Sequence, residues 1–232
     1  MTISVVMTPY QREKQLNVTL PTIIGADEIV IESDDRDHSQ QAWMNPAPIL
    51  NRAIAKASGD IIIQQNAECL HVNRVVDVMR KLPRGQVWFA SCMALKEDGT
   101  EDKWYCHPEH RPRPDFFCGA FWKDEAPRYN EAFTQYGYED VQWADDARKK
   151  GLTFHYFHPE EALVYHQWHP PFVGDSQSRT LYNQLKGEAI AEIPAYAMGC
   201  SCIGFGATTL PNGDQQCDRC GKVSKIMLEA HR

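Results

Sequence analysis

Residues 48–65 read PILNRAIAKASGDIIIQQ, and this stretch decides the fold class. Ile49, Leu50, Ala53, Ile54 and Ala57 recur at helical spacing, which predicts a helix over Pro48–Ser58. Gly59 sits just after that pattern, where a helix C-terminal glycine is expected. Asp60–Gln65 (DIIIQQ) then reads as a strand entered directly from the helix. Working outward, Thr2–Met7 (TISVVM) and Glu28–Glu32 (EIVIE) are strand-like, and polar Gln11–Leu20 between them is helix-compatible up to Pro21. Downstream, Val72–Leu82 suits a helix and Gln86–Ser91 (QVWFAS) a fourth strand. This alternation predicts an α/β fold with parallel strands and a right-handed first crossover.

The 232 residues amount to one full domain with room for a small appendage. Apolar residues at 43% and charged residues at 24% exclude a disordered or collagen-like chain. No apolar run reaches 18 residues, so no membrane span is expected. The opening MTISVVMTPY lacks a basic leader region and reads as a strand, which points to a cytoplasmic protein. Lys and Arg number 24 against 31 Asp and Glu, a net charge of −7. That balance lacks the broad positive field of a nucleic-acid binder, though a local basic patch can survive within it.

The second half is less regular. Glu97-Asp98-Gly99-Thr100 marks a turn between two extended pieces, and Phe116–Lys123 is strand-like. Tyr138–Lys150 reads as a helix with Val141, Ala144 and Ala147 on one face and Gly151 as its stop. Thr153–Phe157 and Ala162–His166 are short strands, and Ser176–Ala191 is a polar helix. Composition changes after Pro194, placing a boundary near residue 193 between a domain of residues 1–193 and a module of residues 194–232. In that module Cys200-Ser-Cys202 and Cys217-Asp-Arg-Cys220 form two close pairs able to give a tetrahedral Zn2+ ion four thiolates. Pro211–Asp214 would turn a hairpin between them, and the metal would supply folding free energy that so small a core lacks. A redox pair and unliganded thiols are the alternatives, since the first pair is C-x-C where C-x-x-C is more usual.

Three further constellations carry possible chemistry. Asn66-Ala-Glu68 directly follows the DIIIQQ strand, with His71 three residues on. Such a strand end faces the ligand crevice of α/β proteins, where oxygen ligands can hold a cation and its diphosphate. The plainer reading is a polar loop capping the next helix. Glu139-Asp140 opens a helix, where acids suit the dipole; the functional reading is a general base. His166-Gln-Trp-His169 follows a strand and can contribute a metal ligand, one of the two histidines being assigned a structural role. The Cys106-His107…His110…Cys118 spacing is too irregular to resemble a metal site closely.

Taken in order, these pieces resemble a GT-A fold nucleotide-sugar glycosyltransferase of the family-2 type over about residues 2–169. The resemblance rests on Ile3–Thr8 with Pro9-Tyr-Gln-Arg12, on Glu28–Asp35, and on Asn51-Arg-Ala-Ile54 with Ala57-Ser-Gly-Asp-Ile61. It continues through Gly119, Phe133, Gly137-Tyr-Glu-Asp140, Arg148, Gly151 and Val164-Tyr-His166. The family places D-x-D where this chain has Asn66-Ala-Glu68, and a neutral amide should lower affinity for Mg2+ or Mn2+.

The resemblance implies a mixed sheet flanked by helices and transfer of a sugar, UDP-linked by preference, to a hydroxyl acceptor. Thr8, Pro9, Tyr10, Arg12, Glu32 and Asp34 would contact the nucleotide. Asn66, Glu68 and His166 would hold Mn2+ or Mg2+ at the diphosphate, and Asp140 would be the base of an inverting displacement with Glu139 orienting the acceptor. Trp104, Tyr105, His107, His110, Arg111, Arg113, Phe116 and Phe117 occupy the stretch where this fold builds its acceptor pocket. The acceptor is a glycan, a small molecule or a modified nucleic-acid base such as a hydroxymethylated base in DNA, against which the net charge counts. Two rivals stand beside this reading. One is a catalytically inactive GT-A-like module that docks a partner through its zinc segment. The other is a nucleotidyltransferase, which would open with a glycine-rich loop that Thr8–Arg12 lacks.

Overall fold

The computed structural model describes residues 1–33, 46–133, 137–170 and 176–186, and three short strands beyond them. Two compact units are present: residues 1–134 with 138–170, and residues 135–137 with 171–232.

The first unit is built on a six-stranded sheet of order β2-β1-β3-β8-β5-β9. Its strands are β1 (Ile3–Met7), β2 (Glu28–Ile31), β3 (Ile61–Gln65), β5 (Gln86–Phe89), β8 (Cys118–Trp122) and β9 (Thr153–Tyr156). Central β1, β3 and β8 are buried at every position and so show no alternation, with Ser4, Gln64 and Gln65 buried among their apolar residues. β1 pairs in parallel with β2 and β3. The parallel run expected from the alternating pattern ends there. β8 inserts antiparallel between β3 and β5, and β5 then pairs in parallel with β9.

Helix α1 (Glu13–Thr19) runs into a 3-10 turn at Leu20–Thr22 that carries Pro21, which stops the α-helix as expected. Helix α2 (Pro46–Lys56) buries Ile49, Leu50 and Ala53. Gly59 serves another purpose than the one its spacing suggested. It is not in the left-handed region; a Cβ there would lie 2.5 Å from the backbone nitrogen of Ser4, so glycine is needed for close approach of β3 to β1. The predicted helix over Val72–Leu82 is shorter, α3 (Val75–Met79), because β4 (Cys69–His71) precedes it. That strand escaped the sequence pattern, being three residues long and fixed by antiparallel pairing with β10 (Leu163–His166).

β4 and β10 belong to a second sheet, β4-β10-β6-β7, with β6 (Ser91–Leu95) and β7 (Glu101–Cys106) turning at the predicted Glu97–Thr100 loop. Helix α4 (Glu139–Lys149) turns Trp143, Ala144 and Ala147 inward; Val141, expected on that face, is only half-buried. Gly151, at φ 85°, ends α4 with Gly151 N–H bonded to Arg148 and Leu152 N–H to Ala147, a left-handed cap.

In the second unit lie α5 (Ser176–Lys186) and a three-stranded antiparallel sheet of β11 (Ala207–Thr209), β12 (Gln215–Cys217) and β13 (Val223–Ser224). Thr209 pairs antiparallel with Gln215, while Pro211–Asp214, where the hairpin turn is expected, lies outside the described residues. Of the four cysteines expected to bind zinc, Cys217 closes β12, while Cys200, Cys202 and Cys220 lie outside the described residues. No described helix is long and apolar enough to cross a membrane.

Candidate functional site

Three chain segments converge where β1, β3 and β10 end. Beyond β3, the Asn66 N–H donates to the Phe117 carbonyl and the Cys69 N–H donates to the Asn66 carbonyl, a tight turn that carries Glu68 between two strands. Beyond β10, the Gln167 N–H and side-chain amide both donate to the Glu68 carbonyl, and the same amide reaches Thr19 on α1. Sequence reasoning passed over Gln167, whose role depends on three segments remote in sequence.

These contacts set the Glu68 Oε1 atom 3.3 Å from the Nε2 of His166 and 3.3 Å from the Nε2 of His169. Both histidines of the H-x-x-H stretch therefore face the same carboxylate, including the one assigned a structural role. All three ligand atoms lie within 4.8 Å of one another, close enough for one divalent cation to bridge them, and this is the one such group among the described residues. All three side chains are largely buried. Burial alone would raise the Glu68 carboxyl, but the two imidazoles outweigh it and hold the group well below the usual carboxylate range. The 107/110/106/118 residues form no comparable group; Cys106 and Cys118 are buried free thiols, and His107 accepts the N–H groups of Glu109 and His110. His71 turns away from the site, donating from Nε2 to Gln65 at 2.7 Å, and burial lowers its pKa to about 4.

The β1–α1 loop brings Arg12 to the same place. Its Nη2 lies 2.9 Å from the His169 Nδ1, while Thr8, Pro9 and Tyr10 line the loop half-buried. Glu32 follows β2, its carboxylate held by Arg52 at 3.1 Å and Lys56 at 2.5 Å. Asp34 lies outside the described residues.

An aromatic pair flanks the cluster. Tyr105 stacks on Phe117 at 4.7 Å, and the His166 ring meets both edge-on at 5.1 and 5.4 Å. Phe116, one residue away, packs on Phe89, Phe121 and Trp143 and belongs to the core. The segment 115–117 also borders the acids of α4. Burial first, then the charges of Glu139 and Asp115, push the Asp140 carboxyl well above its ordinary range. Tyr129, bonded to Gln64 at 2.8 Å, lies close enough to feel both α4 acids. A surface cleft of about 420 Å³ lined by Ser58, Asp60, Arg84 and Trp122 lies at the opposite end of β3 and touches none of these groups.

No protein-family model matches the chain, and no curated protein matches it in sequence. Solved structures do match. S. aureus TarS aligns with a TM-score of 0.59 at 13% identity, over 80% of this chain and 39% of its own. TarS 1–349 in complex with UDP aligns at 0.56 and 12% identity, over 80% and 64%. GalNAc-T7 with UDP, GalNAc and Mn2+ aligns at 0.57 and 15% identity, over 80% and 48%. This chain spans less than two thirds of the length of each. The chain shares the fold of these neighbours, which is GT-A-like.

Proposed function

We propose that this chain moves a sugar from a nucleoside diphosphate sugar, UDP-linked by preference, to a hydroxyl acceptor. The observation that carries the reading is the convergence of Arg12, Glu68, His166 and His169 at the strand ends of a GT-A-like fold. Neighbours of that fold were solved with UDP, with UDP-GlcNAc, and with UDP and Mn2+. Thr8, Pro9, Tyr10 and Arg12 would line the nucleotide side, with Glu32 beside them and Asp34 next in sequence. Glu68 and His166, with the amide of Asn66 alongside, would hold a divalent cation, Mn2+ or Mg2+, against the diphosphate. When bound, that ion offsets charge on the leaving group.

Asp140 would take the acceptor's proton, which makes the displacement inverting, while Glu139 orients the acceptor. Tyr105 and Phe117 offer a ring face to it; whether it is a glycan, a small molecule or a modified base in nucleic acid is a further part of the proposal. Residues 194–232 would fold around a structural Zn2+ held by Cys200, Cys202, Cys217 and Cys220. The experiment is a panel of nucleoside diphosphate sugars with Mn2+, read by thermal shift and by nucleotide release. A donor that raises the melting temperature and is turned over supports transfer. Binding without release supports an inactive module docking a partner. No stabilisation by any donor removes the reading.

A further inference from the structure

We infer that His169, and not Asn66, is the third ligand of the cation site, and that the site selects Mn2+, Co2+ or Zn2+ over Mg2+. This deepens the proposed function, on which the placing of the cation beside a diphosphate rests. The binding of the cation does not depend on it.

Three observations carry the inference. The first is spacing. A charge-assisted contact between an imidazolium and a carboxylate normally closes to about 2.7–2.9 Å. Here both nitrogens stop at 3.3 Å from one oxygen. Ligands about 2.1 Å from a shared ion, at angles between 90° and tetrahedral, stand about 3.0–3.4 Å apart. Each gap to Glu68 is one that ligands round a cation keep, and the three ligand atoms together lie within 4.8 Å of one another.

The second is the orientation of His169. Its Nδ1 lies 2.8 Å from the Pro170 carbonyl and 2.9 Å from the Arg12 Nη2. It serves one of them at a time. Accepting from Arg12 leaves the ring proton on Nε2, facing Glu68. Donating to Pro170 leaves the Nε2 lone pair bare and aimed at Glu68, the outer-shell carbonyl arrangement of metal-bound histidines. A cation on Nε2 selects the second state and frees the Arg12 guanidinium.

The third is ligand chemistry. Two imidazoles and one carboxylate suit ions of borderline softness, whereas Mg2+ demands oxygen ligands and keeps its water. The missing carboxylate at Asn66 is thus made good by nitrogen, which changes the ion the site prefers.

The test uses the full chain without nucleotide. Mn2+ binding is read from loss of the free-ion electron paramagnetic resonance signal, with Zn2+, Co2+ and Mg2+ as competitors, and Co2+ absorption reports nitrogen ligation. Wild type is expected to bind one Mn2+ that Zn2+ and Co2+ displace and excess Mg2+ does not. His169→Ala and the milder His169→Gln should each weaken binding about ten-fold or more and alter the Co2+ spectrum, with the melting curve showing that both stay folded. Asn66→Ala should weaken binding less than either His169 variant. Equal losses for Asn66→Ala and His169→Ala, effective competition by Mg2+, or no ion bound would each overturn the inference. Ion binding with no sugar turnover would sink the proposed function and leave this site standing. Turnover indifferent to His169 would do the reverse.

Discussion

Acidification should destabilise the fold through His71, at a position removed from the reacting groups. His71 is 8% exposed and donates to Gln65, which itself donates to the Cys69 carbonyl at the base of the Glu68 turn. Burial lowers its pKa to about 4 from the ordinary 6.5. Between those values the unfolded chain holds a proton that the folded one refuses, so stability falls as pH falls through this window. The contribution is intact above the unfolded value and is lost progressively towards the folded one. At about 1.4 kcal/mol per unit the loss reaches about 2 kcal/mol by pH 5 and about 3 kcal/mol by pH 4. The assay is urea unfolding of wild type and His71→Gln at pH 7.5, 6 and 5. Glutamine keeps a donor for Gln65 and does not titrate, so the difference between the two pH slopes isolates this residue from the carboxylates common to both. At pH 5 the wild type should have lost about 2 kcal/mol more than the variant, on the order of 4–8 °C in melting temperature for a unit this size. Parallel slopes would show that His71 titrates as an exposed histidine does, and the reasoning from burial would fail.

Asp140→Asn should abolish sugar transfer while donor binding, read by thermal shift, persists; equal loss of both would remove the base role. Gly59→Ala should cost about 1–3 kcal/mol in urea unfolding, because the new Cβ would stand 2.5 Å from the Ser4 backbone nitrogen; an unchanged midpoint would mean the β1–β3 contact gives way easily. Mn2+ should tighten UDP binding in calorimetry by freeing Arg12 from His169, and Arg12→Ala should reduce that gain while the ion itself still binds. An undiminished gain in the variant would separate Arg12 from the cation.

Local pattern in the chain was enough to place most of the elements. The DIIIQQ run, the helix before it and the two strands towards the N-terminus stand where spacing and β-branching put them, since each expresses a one-dimensional period that burial enforces. Gly151 as a helix stop was equally legible, because left-handed backbone is a property of one residue. The residues of the resemblance, read in order, pointed to the fold that the solved neighbours share.

Pairing between distant segments was decided by the tertiary structure alone. Antiparallel β8 lies between β3 and β5 although 52 residues separate Gln65 from Cys118, and β4 exists because β10 pairs with it. The site shows the same division. Glu68 and His166 could be named from their strand ends, but that His169 faces them, that His71 turns away to Gln65 and that Glu32 is taken by Arg52 and Lys56 depend on loop paths that no period encodes. Periodicity records which face of an element leaves water; which groups then meet is fixed by chain closure in three dimensions.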